Sequence, residues 1–474
     1  MTTPMMTLSD AVDQMIGRIN NRKTRLDENS SYYNSEKRPE TIGLAVPPAM
    51  KKLLAKIGWP RTYIDSLEER LDVEGFRLGK GSDGDDKMWG WWQSNKMDVQ
   101  SGLAHTEALV HGVAYITVSA PDSKDPLADP TTPVIKVESP KHMYAEIDPA
   151  TDRVVRAIRV YKDPDFPERD RATLYLPNVT ILLVRSSKGP QAWVEERSIK
   201  HNLGVVPVIP ILNKKRLEET NGCSEIFPEL RSQTDSAARL MMNMNATAEL
   251  MAVPQRVLFG VDQEELLSAT QTGASWEAYI ANILAFGEAN GTVTQLAAAE
   301  LRNFGDGMTE ISKLVAGTTG LPPQYLAFSQ DNPASADAIR ASESRLVKKC
   351  ERKARIFGEA WEQVMKVCML VMGEKLTSDA HKLETVWRDP STPTYAAKAD
   401  AVTKLVATTT PDGRSLVPLE QGRLDMGYSD RQILNMEEWD RKAKSSLLTS
   451  LLNAPPPAQP PKFSDQQDRS NPEE

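Results

Sequence analysis

Residues 331–371 read DNPASADAIRASESRLVKKCERKARIFGEAWEQVMKVCMLV. The opening is a helix start. Asn332 is a good N-cap, Pro333 suits the first helical position, and Asp337 sits near the positive end of the helix dipole. Beyond it Ile339, Ser342, Leu346, Cys350, Ala354, Phe357, Trp361, Val364, Cys368 and Val371 return every three or four residues. One stripe of that length predicts a helix of about 38 residues, about 57 Å if straight, with Gly358 as a candidate bend. A single small core rarely needs such a helix. A coiled coil, a helical repeat or a stem shared between subunits does.

Before this helix the chain reads as helices, then strands, then helices. Helical periodicity covers 8–35, about 49–70 and about 88–110, the last opened by Met88-Trp89-Gly90-Trp91-Trp92. Clustered tryptophans are ordinarily core packing; a base-stacking platform would need interleaved basic residues, and there are none. From Gly112 the period changes. VAYITVS, PVIKVES, RVVRAIRVY, ATLYLP, TILLVRS and AWVEE are short β-branched runs between Pro, Gly and Asp-Pro signals, and predict a mostly antiparallel sheet. A helix follows at 224–251, a strand at 253–261, an ambiguous apolar run at 276–286 and a helix at 300–316. Gly317-Thr318-Thr319-Gly320-Leu321-Pro322-Pro323 ends that helix. After the long helix come two shorter ones, 395–408 and 429–452. The last stretch, 453–474, is rich in Pro, Ser, Gln and Asp and predicts disorder.

Composition narrows the function. The 474 residues carry 57 Lys+Arg against 65 Asp+Glu, a formal charge of −8. That excludes a protein coating nucleic acid along a broad basic surface, though not one touching it at a ring or loop. The three cysteines, Cys223, Cys350 and Cys368, form no CxxC and predict neither a disulfide framework nor a zinc site. No signal peptide and no membrane span is expected. Gly75-Phe76-Arg77-Leu78-Gly79-Lys80 is one residue short of a P-loop and lacks its Ser/Thr. His105-Thr106-Glu107 has half of a zinc-deaminase signature without the other half, and His105 and His111 read as helix-end histidines. No enzyme, cofactor or metal is expected.

The long helix carries Arg340, Arg345, Lys348, Lys349, Arg352, Lys353 and Arg355 against Glu343 and Glu351. Two readings stand. The cations form a solvated face or pair with acidic neighbours such as 65–86, which holds eight Asp/Glu against three Lys/Arg. Or they contact a phosphate backbone, which requires exposed cations but no base-edge code.

In order along the chain, several pieces resemble the portal (head–tail connector) proteins of tailed double-stranded-DNA phages, in the form common in phages of actinobacterial hosts. Trp91-Trp92-Gln93-Ser94-Asn95-Lys96-Met97-Asp98 is similar to a Trp…Asn-x-Leu/Met-Asp element of that family. His105 with Ala108-Leu109-Val110-His111-Gly112-Val113-Ala114-Tyr115-Ile116-Thr117-Val118 resembles its helix-to-strand entry. His201-Asn202-Leu203-Gly204-Val205-Val206-Pro207-Val208-Ile209-Pro210, then Gly222-Cys223-Ser224-Glu225-Ile226, resemble the approach to a stem helix. Asp331-Asn332-Pro333-Ala334-Ser335-Ala336-Asp337-Ala338-Ile339 resembles the start of its longest helix.

The resemblance implies an α+β portal fold: α/β wing, helical stem, small mixed clip, long kinked helix and helical crown. The wing would span 1–222 and 374–428, the stem helices 223–251 and 300–316, and the clip 252–299. A tunnel loop would span 317–333, the long helix 334–373, the crown 429–452 and a disordered tail 453–474. It also implies a homo-oligomeric ring, normally of twelve, at one capsid vertex. Double-stranded DNA would pass through it, and its partners would be the terminase large subunit, the major capsid or scaffold protein and a head–tail adaptor. The protein would sit in the virion, and in the host cytoplasm during assembly. The loop lacks Lys and Arg, so Gln324, Ser329, Gln330 and Asn332 become the candidate DNA-channel residues. Arg340, Arg345, Lys348, Lys349, Arg352 and Lys353 form the candidate phosphate-contacting or intersubunit face. The competing reading is another oligomeric virion or scaffold interaction protein without a channel.

Overall fold

The computed structural model describes residues 7–37, 55–79, 85–186, 192–252, 256–259, 283–286, 300–326, 336–391, 395–411, 413–428 and 430–452. Most of the expected clip and the whole 453–474 tail lie outside the described residues. The chain divides into two compact units, Met1–Ser391 and Thr392–Glu474. The division falls inside the 374–428 stretch.

The first unit opens with α1 (Leu8–Tyr33). Thr7 and Asp10 cap it reciprocally: the Thr7 hydroxyl accepts from the Asp10 N–H and the Asp10 carboxylate from the Thr7 N–H, both at 3.2 Å. The helix joins two cores. Val12, Met15 and Ile19 pack on a five-stranded antiparallel meander of β4 (Met143–Ile147), β5 (Val154–Lys162), β6 (Arg169–Tyr175), β7 (Val179–Ser186) and β8 (Val194–Lys200). Tyr32, three turns on, belongs to the main core and donates to Asp235 at 2.8 Å.

A second sheet has the order β3-β2-β9, from β2 (Val113–Ser119), β3 (Val134–Glu138) and β9 (Val208–Leu212). Central strand β2 is apolar on both faces, as a strand between two cores must be. Ala114, Ile116 and Val118 enter the main core, while Val113 and Tyr115 enter a smaller one with Met143, Ala157 and Val208. The period of two thus sorts one strand between two cores.

Helices fill the main core. α2 (Trp59–Glu68) is shorter than the expected 49–70 helix: 55–58 are not helical, and Pro60, which lacks an N–H, sits in its first turn. The expected 88–110 helix is two, α3 (Asp86–Ser94) and α4 (Met97–His111). The break is at Asn95 and Lys96, the latter left-handed at φ 56°. Asn95 makes the break useful, donating to the carbonyls of Trp91 and Pro133 and accepting from Ile135 N–H, each at 2.8 Å. Trp92 donates to Asp98 at 2.9 Å, so the quoted Trp…Asn…Asp element is a local brace between α3, α4 and β3. Trp91 and Trp92 are buried, as core packing requires.

α5 (Pro228–Ala252) starts four residues later than expected, at a proline in the first turn. α6 (Leu301–Thr319) packs on it. Between them in sequence, β10 (Arg256–Phe259) and β11 (Ile283–Phe286) pair in parallel. The long helix is α7 (Ala336–Val371), 36 residues. Its stripe is the spine of the main core, with Leu346, Cys350, Phe357, Trp361, Val364 and Cys368 all fully buried. Trp361 meets Trp92 edge-on at 5.0 Å between centroids and donates to Nε2 of His105 at 2.9 Å. His105 is therefore not a helix-end residue; it lies mid-α4, and burial pushes its pKa down to about 3, so it stays neutral.

Two short strands, β1 (Val73–Arg77) and β12 (Glu384–Trp387), pair antiparallel across more than 300 residues of sequence. Neither they nor β4 stood out in the sequence, because VEGFR, MYAEI and ETVW are short and carry few β-branched residues. α7 is helical through Gly358 without interruption. The glycine there admits β12: the Thr385 hydroxyl donates to the Gly358 carbonyl at 3.1 Å, and a Cβ would lie 3.1 Å from Trp387 Nε1.

In the second unit, α8 (Tyr395–Ala407) packs against α9 (Leu419–Met426), and α10 (Asp430–Leu452) follows. Gly422 of α9 allows the close approach, since a Cβ there would meet Val406 at 2.9 Å. Arg423 pairs with Asp440 of α10. α9 escaped the sequence reading because its eight residues carry little apolar periodicity.

Gly358→Leu is expected to displace β12 and cost about 1–3 kcal/mol by overpacking. Urea unfolding monitored by tryptophan fluorescence measures this; an unchanged midpoint would mean the helix–strand contact is loose.

Candidate functional site

The helix C-terminus of α6, the turn after it and the first half of α7 form one assembly. Its foundation is a buried carboxylate. Glu225, 2% exposed, lies between β9 and α5. Its Oε1 pairs with Lys353 Nζ at 2.6 Å and accepts from Asn213 Nδ2 at 3.0 Å. Its Oε2 pairs with Lys215 Nζ at 2.9 Å and accepts from the Tyr63 hydroxyl at 2.9 Å. Burial alone would raise its pKa, but the two ammonium groups outweigh burial and hold it near 2. Asn213 also donates to Cys223 O at 2.7 Å, and its N–H reaches Gly112 O at 2.9 Å. Gly222, at φ 70°, passes so close to Gly112 that a Cβ would sit 2.0 Å from that carbonyl oxygen. The end of α4, the end of β9, the entry to α5 and the middle of α7 thus meet at one polar node.

One turn along α7, Lys349 contacts the Thr319 carbonyl and lies 3.2 Å from the Tyr63 hydroxyl. Partial burial pushes its pKa down to about 8. Another turn along, Arg345 donates to Gly317 O at 2.8 Å and lies against Gly320, whose φ is 74°. Both cations therefore satisfy carbonyls left open at the α6 C-terminus, the negative end of its dipole. Beyond Gly320 the chain stays pinned. Leu321 and Leu326 are buried. Tyr325 donates to Glu343 at 2.8 Å and accepts from Arg70 at 2.9 Å, and Arg70 pairs with Glu343 at 3.6 Å. Gln324 donates to Ser342 at 3.0 Å.

The structure places Gln324 in this pinned turn. Ser329, Gln330 and Asn332 lie outside the described residues. The basic residues of α7 separate into two lines, since residues four apart share a face. Arg345, Lys349 and Lys353 form one line, exposed at its first member, half-buried at its second and buried at its third. All three bind groups of their own chain. Lys348 and Arg352 lie on the other line with Arg355 and are exposed; Lys348 pairs with Glu351 at 2.5 Å. Arg340 is exposed near the helix start. The partner of the buried cation is Glu225 rather than the acidic stretch 65–86. Sequence reasoning missed Glu225, Asn213, Tyr63, Arg70 and Tyr325. The available signal was Glu225 itself, an isolated acid between Cys223 and Ile226.

Among the described residues no group of His, Cys, Asp and Glu could hold a metal, and no helix is long and apolar enough to cross a membrane.

The sequence matches the family model of phage portal proteins of the SPP1 Gp6-like type over residues 13–412. The chain belongs to this portal family. It is 50% identical over 452 residues to the portal protein of Mycobacterium phage D29, covering 94% of this chain and 92% of that one. It is 47% identical over 481 residues to the portal protein of Mycobacterium phage L5, covering 98% of each. Family membership decides against a virion protein without a channel. Portals are structural, non-enzymatic, ring-forming capsid components, and their ring is the DNA channel. The node around Glu225 and the pinned turn are the α7-centred framework of this member.

Glu225→Gln leaves the buried Lys353 ammonium, and the exposed Lys215 beside it, facing an amide; removing the charged partner of the buried cation is expected to cost about 3–5 kcal/mol. The pH dependence has a definite sign. The folded pKa of about 2 lies below the ordinary 4.5. The stability Glu225 contributes is therefore present above about pH 4.5 and is lost as pH falls toward 2. Urea midpoints of wild type and variant, measured between pH 7 and pH 3, should converge on the acid side.

Proposed function

We propose that 317–333 holds the DNA-facing tunnel loop of a dodecameric ring, and that the last turn of α6, through Thr319, and the pinned turn 320–326 are its fixed base. The observation that carries this is the fastening of the loop's entry to α7 through Gly317, Thr319, Gln324 and Tyr325. A loop meeting moving DNA needs an anchor that does not move with it. Ser329, Gln330 and Asn332 would contact DNA from the loop, while Gln324 serves the base. Exposed Lys348, Arg352 and Arg340 are the cations suited to phosphates or to a neighbouring subunit. Arg345, Lys349 and Lys353 support them from within the chain.

In this reading 1–222 and 374–428 are wing, 223–251 and 300–316 stem, 252–299 clip and 429–452 crown. The ring assembles in the host cytoplasm with the major capsid or scaffold protein. It docks the terminase large subunit during packaging and a head–tail adaptor afterwards. The family match and the continuous homology to two portal proteins support the ring and its place in the capsid.

Deleting Phe328–Asp331, which leaves the pinned turn intact, is expected to spare rings in negative-stain images and to reduce DNA-filled heads. Normal filling would refute the loop assignment. Lys348→Glu with Arg352→Glu should lower DNA packaging or phage yield without unfolding the chain, since both residues are exposed. Wild-type yield from this double variant would make that line a solvated face only.

A further inference from the structure

A cavity of about 420 Å³ opens beside α6, lined by Leu240, Met241 and Met244 of α5, Phe304 and Met308 of α6, and Leu326. Gly305 also lines it, and a Cβ built there meets nothing within 4 Å. On the same helix Leu314 is 60% exposed. At 3.6 residues per turn, Leu314 lies about 140° around the axis from Thr309 and about 160° from Ser312, two other residues of the cavity wall. A large apolar knob and an apolar hole thus occupy opposite flanks of one helix.

We propose that Leu314 of each copy seats in this cavity of the next copy around the ring. The inference rests on the ring-forming reading above. A closed ring of identical chains is built from heterologous contacts, in which two different patches of each subunit meet. Opposite flanks of a shared helix meet that requirement; a self-complementary dimer would need the same patch on both sides. Charge supports the pairing. Arg302 and Asp306 border the cavity, and Glu310 and Lys313 flank the knob. A stagger of six to eight residues between neighbouring copies of α6, roughly 9–12 Å along the axis, would set Leu314 beside Met308, Lys313 beside Asp306 and Glu310 beside Arg302. The intrachain Glu310–Lys313 pair, 2.7 Å long, is well exposed on both side chains and costs little to exchange.

The test is a full-chain variant with Thr309→Cys and Leu314→Cys. The two positions face apart on one rigid helix, so a disulfide between them must join two chains. In rings isolated from particles, mild oxidation should give a covalent ladder climbing to the full ring on a non-reducing gel. Each single variant should stop at dimer or below. Rings visible by electron microscopy with no ladder above dimer would overturn the knob-and-hole contact while leaving the portal reading intact. Particles with no ring of this chain would overturn both. Gly305→Leu provides a second arm, because it fills the cavity in open space. Its circular dichroism and thermal midpoint should match wild type, with ring yield falling about tenfold or more, the equivalent of one buried leucine contact. Wild-type ring yield would show that the cavity is filled by something other than the neighbouring copy.

Discussion

A carboxylate can remain charged in a protein interior only where opposite charge and hydrogen bonds replace water. Glu225 meets that condition with Lys353, Lys215, Tyr63 and Asn213, drawn from three separate stretches of chain. Each partner is fixed by its own element: Lys353 by α7, Tyr63 by α2, Asn213 and Lys215 by the end of β9. The node therefore sets how α7 lies against the sheet and where α5 begins. The register of α7 in turn decides which of its residues reach the α6 C-terminus. The pinned turn inherits its position from this one buried pair.

The same register divides the cations of α7 between two duties. Cations four residues apart on the inward line close the carbonyls at the end of α6 and neutralise Glu225. Those on the outward line remain in solvent. A chain with net charge −8 thus has fewer cations free for phosphate than its local +5 balance suggests. For a channel this is favourable. Each phosphate neutralised strengthens a sequence-independent, salt-sensitive grip, and DNA that must slide is better served by a few such contacts than by many.

Several things were legible in the sequence because they are written locally. The stripe from Ile339 to Val371 gave the long helix. The β-branched runs between 113 and 200 gave the antiparallel strands, and the proline and glycine signals gave most element ends. The quoted portal-like pieces gave the family. Local signals failed where the deciding contact was distant. β1 and β12 are four or five residues each and make sense only when paired across the chain. Gly358, which suggested a bend in the helix, is small because β12 crosses it. His105 was assigned to a helix end because nothing in sequence announces Trp361 as its partner.

By itself the sequence determined most of the inventory: the long helices and the longer strands, the absence of a recognisable catalytic motif, the charge, and the resemblance to a family. Periodicity, capping and motif order are properties of neighbours along the chain, so one dimension suffices to read them. Only the tertiary structure decided which cations are spent inside the subunit, which glycines are contacts, and where an apolar knob and cavity lie on opposite flanks of α6. Those are relations through space between residues up to hundreds apart, fixed by the closure of helix on helix and strand on strand.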